Sequence, residues 1–154
     1  MSKILFLQHQ SDILTKNIKQ LTQSPHSIKI CVASKYANVS QIKGLYDIGY
    51  RLFGENKIQD GLEKIHELRH MPDIEWHFIG HLQKNKVRKA VENFDCIQSV
   101  DSLSLLEKIN SASIYFNKTS RCFLQVNSGN DPKKASETDR LEPANRPDQS
   151  ADPS

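Results

Sequence analysis

Short apolar runs alternate along this chain with stretches whose large aliphatic residues recur every three or four positions, and that alternation sets the expected order of elements. Leu14, Ile18 and Leu21 follow a Ser11-Asp12 start and predict a first helix over Ser11–Leu21, which Ser24-Pro25 ends. The β-branched run Ile28 to Lys35, Ile-Lys-Ile-Cys-Val-Ala-Ser-Lys, predicts a strand. Val39, Ile42, Leu45 and Tyr46 form a second helical stripe, with Gly49 as its stop. Arg51–Asn56 reads as a second strand running straight into a helix marked by Ile58, Leu62, Ile65 and Leu68, which Pro72 closes. A third strand over Glu75–Gly80 precedes a basic helix from Gln83 to Asn93. Cys96–Val100 predicts a fourth strand, Asp101 or Ser102 caps a helix carrying Leu105, Leu106 and Ile109, and Arg121–Val126 predicts a fifth strand ending at Asn127. Strands and helices in this regular succession point to βαβ units and a parallel sheet.

Beyond Asn130 the pattern stops. Asp131 to Ser154 holds Leu141 as its only large apolar residue and cannot bury enough surface to fold, so residues 1–130 are expected to form one α/β domain and residues 131–154 a disordered tail. The folded part then has about five βα units, where a closed (β/α)8 TIM-type barrel of about 250 residues needs about eight. Either the sheet is open and complete, or a barrel has been cut short. Of the 154 residues 37% are hydrophobic and 25% charged, which is ordinary for a soluble chain, and a net charge of +3 demands neither a nucleic-acid nor a membrane partner. The N-terminal apolar run is too short for a signal peptide and no later one would span a bilayer, so a cytoplasmic location is expected. Cys31, Cys96 and Cys122 each sit inside an apolar run, which suits buried free thiols in a reducing compartment.

Candidate chemistry gathers at the carboxyl ends of the predicted strands, where α/β proteins with parallel strands build their ligand sites. Strand alternation puts Lys35 on the face of Cys31 and Ala33, opposite Ile30 and Val32. A desolvated amine there has a lowered pKa and is free to condense with an aldehyde; a lysine snorkelling to water is the plainer account of this segment alone. In Phe53-Gly54-Glu55-Asn56, Gly54 permits close backbone approach and Asn56 offers a donor and an acceptor to a ligand, while helix capping explains the same residues equally well. His66-Glu67-Leu68-Arg69-His70 matches the H-E-x-x-H zinc pattern, yet it lies at a helix end against Met71-Pro72 and favours chance occurrence on a solvated surface. His77 reads as a hydrogen-bonded core residue that a strand and turn separate from His81. Lys84, Lys86, Arg88 and Lys89 read as a solvated basic face without the interleaved aromatics of an RNA-binding surface. There is no G-x-G-x-x-G, P-loop or nucleophile elbow.

Taken together, Ala33-Ser34-Lys35, Phe53-Gly54-Glu55-Asn56 with Gln59, and Trp76-His77-Phe78-Ile79-Gly80-His81-Leu82-Gln83-Lys84-Asn85-Lys86 closely resemble the pyridoxal phosphate homeostasis protein family. Ser99-Val100-Asp101-Ser102-Leu103 and Gln125-Val126-Asn127 fit its later strands, and the likeness extends to Ala135. The resemblance implies a barrel similar to that of alanine racemase, with pyridoxal 5′-phosphate (PLP) at the carboxyl ends of the strands. It further implies a Schiff base on Lys35 with Asn56 beside it, and a carrier or regulator of vitamin B6 balance in place of an enzyme with turnover. The family's pattern continues into Gly-Phe and further strands where this sequence turns at Ala135-Ser136 into the polar tail, so a truncated barrel is expected. Such a half barrel exposes two sheet edges and lacks the loops after the last strands that commonly hold the phosphate, so PLP binding is expected to be impaired. Two rival readings remain: a zinc metalloenzyme using His66, Glu67 and His70, and a non-catalytic interaction protein whose sheet edges pair with another chain.

Overall fold

The boundaries of the observed elements follow from local chemistry. The computed structural model describes residues 3–24 and 28–126; the tail expected over 131–154 and the strand end at Asn127 lie outside the described residues. Helix α1 spans Lys3–Leu21 and strand β1 only Val32–Ala33. Helix α2 (Val39–Asp47) opens on a capping box, in which the Asn38 side chain accepts from the Gln41 N–H and the Gln41 side chain accepts from the Asn38 N–H, each at 2.9 Å. The chain leaves α2 through Gly49 at φ +103°, a conformation that L side chains rarely adopt. Strand β2 (Leu52–Glu55), helix α3 (Ile58–Glu67) and strand β3 (Glu75–Phe78) follow. The expected basic helix divides into a 3-10 turn over Lys84–Lys86 and helix α4 (Val87–Asn93). The Lys118 ammonium donates to the carbonyls of Val91 at 2.9 Å and Phe94 at 3.1 Å, meeting the negative end of α4. Strand β4 (Cys96–Val100), helix α5 (Leu103–Tyr115) and strand β5 (Arg121–Leu124) complete the described chain.

All strand pairs are parallel, and the sheet runs β1-β2-β3-β4-β5 in sequence order. Right-handed crossovers that always step to the next strand place helices α2 to α5 on the same face, which is the winding of a barrel wall and not of a doubly wound sheet. The side chains obey it. Phe53, Trp76, Phe78 and Ile97 alternate onto the face that packs against Ile42, Ile58, Leu68, Val91, Leu105 and Ile109 of the helical layer. The register lines Gly54, His77, Cys96 and Arg121 across the opposite face, which in a closed barrel is the interior. On the helical side Phe53 lies tilted on Trp76 at 5.8 Å between ring centroids, and Phe78 meets Phe94 edge-on at 5.5 Å. Among the described residues no helix is long and apolar enough to cross a membrane.

Candidate functional site

Strand pairing brings Lys35 and Asn56 to the same end of the sheet. Ala33 pairs with Gly54, and the two candidates each follow that pair by two residues, at the carboxyl ends of β1 and β2. Because β1 stops at Ala33, Lys35 sits in the turn after it and is exposed, in line with the plainer account of a lysine reaching water. Its Nζ stands 5.1 Å from the Tyr36 ring centroid, and among the described residues it forms no ion pair. Asn56 is half-buried, and its side-chain amide takes no hydrogen bond from another described residue, so both its donor and its acceptor remain available. A third segment closes over it. A Cβ on Gly80 would be driven into the Asn56 carbonyl group, 2.7 Å from its carbon, so this glycine permits the loop after β3 to lie directly against the site.

Beneath the two candidates lies a buried polar cluster that sequence reasoning missed. Ser34 and Glu55 are both 0% exposed, and the Ser34 hydroxyl donates to Glu55 Oε1 at 2.5 Å. Lys64 of α3 donates to the same oxygen at 2.9 Å and to the Ser34 carbonyl at 2.9 Å. Glu55 Oε2 is buried with no hydrogen-bond partner among the described residues. The signal was present in the alternation: Glu55 lies two residues from Phe53, on the face that must be covered by a helix, and a carboxylate there requires a cation from that helix.

The interior face carries its own polar group. His77 is buried, shares its Nε2 with Glu75 Oε1 at 3.2 Å and lies 2.6 Å through Nδ1 from the Gln98 amide nitrogen, an arrangement that places the ring proton on Nε2. It is the hydrogen-bonded histidine expected. Burial works to raise the Glu75 carboxyl, but hydrogen bonds from Arg121 and His77 outweigh it and hold the group below its ordinary value. Burial, with the Glu75 charge added, pushes the Cys31 thiol up, and burial likewise raises Cys96 and Cys122, so all three free thiols stay protonated near neutrality. His81 lies 3.5 Å from Asp101 and is exposed. A cleft of about 440 Å³ between α1 and the strand starts, bordered by Ser11, Ile18, Lys29, Tyr50 and Arg51, lies at the opposite end of the sheet from Lys35.

The zinc reading fails on geometry. Helix α3 ends at Glu67, so His70 falls in the turn beyond it and does not stand one helical turn above His66 on a common face. His66 instead faces Arg69, 3.4 Å from its guanidinium, and among the described residues no group of three or more His, Cys, Asp or Glu is placed to hold a metal. Lys84, Lys86, Arg88 and Lys89 are exposed as a solvated face should be, with Arg88 over the Tyr115 ring at 4.1 Å.

No family model matches the chain. Among curated proteins it is 41% identical over 102 residues to a pyridoxal phosphate homeostasis protein of Synechocystis sp., covering 66% of this chain and 47% of that protein. It is 31% identical over 136 residues to the protein of the same name from Vibrio alginolyticus, covering 86% and 58%. The chain is thus a homologue of proteins bearing that name, and it spans about half the length of the curated relatives it matches. Its fold matches PipY of Synechococcus elongatus, solved with PLP bound, at a TM-score of 0.68 and 39% identity over 77% of this chain and 54% of that one. The PLP-free form of PipY matches at 0.70 and 39% identity over 79% and 57%.

Proposed function

We propose that this homologue of the pyridoxal phosphate homeostasis proteins binds PLP as a carrier or regulator in the cytoplasm, holding the cofactor as a Schiff base on Lys35. The observation that carries the reading is the placement of an exposed primary amine and an uncommitted amide, Lys35 and Asn56, at the carboxyl ends of two paired strands. Support comes from PipY, a structural relative that holds PLP. The residues fit the group in kind: the amine suits the aldehyde, the Asn56 amide suits a phenolic or phosphate oxygen, and Gly80 lets the loop after β3 pack directly on the Asn56 backbone. PLP supplies the electrophilic aldehyde and an electron-withdrawing ring; the chain supplies the attachment point and its orientation.

Titrating the purified chain with PLP and following the visible absorbance of the Schiff base tests the proposal. A band lost in Lys35→Ala is expected; an equal band in that variant contradicts it. A second reading has its own observation: Phe123, Leu124 and Val126 at β5 are 57%, 60% and 68% exposed, so this edge is suited to pairing with another chain. A clean monomer in size-exclusion chromatography at high protein concentration would rule against it.

A further inference from the structure

We infer that Ser34, Glu55 and Lys64 act as a latch that sets the orientation of Lys35 and Asn56, making Glu55 and Lys64 positioning residues of the proposed site. The inference rests on the PLP reading above for what the latch serves, though not for its existence. Its core is a matter of peptide planes. The Ser34 carbonyl belongs to the planar unit that joins Ser34 to Lys35, so whatever holds that oxygen fixes the direction in which Lys35 leaves the strand. Two donors hold it: Lys64 Nζ at 2.9 Å and the Ala37 N–H at 2.8 Å, the latter closing the turn that contains Lys35. Ser34 is held again through its N–H, which donates to the Gly54 carbonyl at 2.9 Å, and through its hydroxyl on Glu55.

The same logic runs through the neighbouring strand. The Glu55 carbonyl, part of the unit leading into Asn56, accepts from the Ile79 N–H at 2.9 Å, while the Glu55 carboxylate takes both Ser34 and Lys64. One buried carboxylate and one ammonium therefore tie together the residues immediately preceding both candidates. Cohesion alone accounts poorly for this choice of residues. A buried ion pair holds a helix to a sheet no better than apolar side chains of the same volume, and here one carboxylate oxygen is left without a partner among the described residues. What apolar residues would not provide is a directional grip on the Ser34 carbonyl.

The test uses the whole 154-residue chain and the neutral pair Glu55→Gln/Lys64→Met, which avoids stranding a single buried charge. Three quantities are read: the melting temperature, hydrogen exchange of the Ser34 and Ala37 amides, and PLP affinity with its Lys35-dependent absorbance. With melting near that of the parent, Ser34 and Ala37 are expected to exchange about 10-fold faster and PLP affinity to fall about 10-fold. Unchanged exchange at both amides overturns the latch, as does faster exchange that merely follows a general loss of stability. If the parent chain captures no PLP at Lys35, the functional reading fails by itself; local exchange then decides the latch alone, in the same two directions. Should the double variant not fold, Ser34→Ala, which removes the hydroxyl contacts to Glu55 and to the Gly54 carbonyl at 3.3 Å, is read by the same criteria.

Discussion

Strands β2 and β5 are built from similar apolar residues in the same βα rhythm, yet one is sealed and the other lies open. Every residue of β2 is buried, including the carboxylate of Glu55, because β1 and β3 pair with it on either side and helices cover its outward face. In β5 only Cys122 is half-buried, while Phe123 and Leu124 are more than half exposed. The difference shows that strand propensity makes a strand, while burial, and with it the capacity to hold a charged cluster in place, comes from neighbours on both sides. Of the proposed site, Asn56 follows the sealed β2, while Lys35 follows β1, the other edge of the sheet, and depends on β2 for its anchoring.

The largest expected effect tests that contrast directly. Phe53 is fully buried and rests against Trp76, so Phe53→Ala should cost about 3–5 kcal/mol in urea unfolding. A loss below about 1 kcal/mol would mean that β2 is not the sealed element described. Next comes Gly80→Ala, whose methyl group must displace the Asn56 carbonyl; a loss of about 1–3 kcal/mol together with weaker PLP binding is expected. Retained stability with normal PLP binding would show that the loop after β3 does not press on the site.

A pH-dependent effect sharpens the contrast at the foot of β2. There Asp73 accepts from the Tyr46 hydroxyl at 2.5 Å and from Arg51 at 2.7 Å, tying α2 and the start of β2 to the approach to β3. The Tyr46 hydrogen bond first, and Arg51 with it, hold the Asp73 carboxyl below its ordinary value although desolvation pulls the other way. A group whose folded-state pKa is depressed contributes stability above its unfolded pKa and loses it as pH falls through the folded value. Asp73→Asn should therefore be less stable than the parent near neutrality, by a margin that closes as the pH falls below the ordinary aspartate range in parallel urea titrations. A margin that is constant with pH would remove the ionic contribution from the account. The smallest effect is expected at the open side: Phe123→Ser should change monomer stability by no more than about 0.5 kcal/mol. A large loss would mean that β5 is covered in solution.

Much of this architecture was legible because each βα unit announces itself locally. Asn38 with Gln41 marks a helix start, Gly49 a stop, and Cys96–Val100 an apolar run of strand length. Misjudged elements were those whose limits depend on partners or on the absence of a breaker. The run from Ile28 to Lys35 has strand character throughout, but only Val32 and Ala33 find partners on β2, so the strand is shorter and Lys35 enters a turn. Helix α1 begins at Lys3, well before the expected start at Ser11, since nothing in the intervening residues interrupts it, and it leaves Leu5 and Phe6 more than half exposed. Lys64 was passed over because a lysine on an amphipathic helix is ordinarily a solvent-facing residue. Only the buried carboxylate across from it, on a different element, turns it inward.

Covalent capture at a named amine is the most direct test of the central claim. Purified chain incubated with PLP, reduced with borohydride and mapped by mass spectrometry should carry the pyridoxyl mass on the peptide containing Lys35 and on no other in stoichiometric amount. Labelling spread evenly over surface lysines such as Lys84, Lys86 and Lys89, or unaltered total labelling in Lys35→Ala, would contradict it.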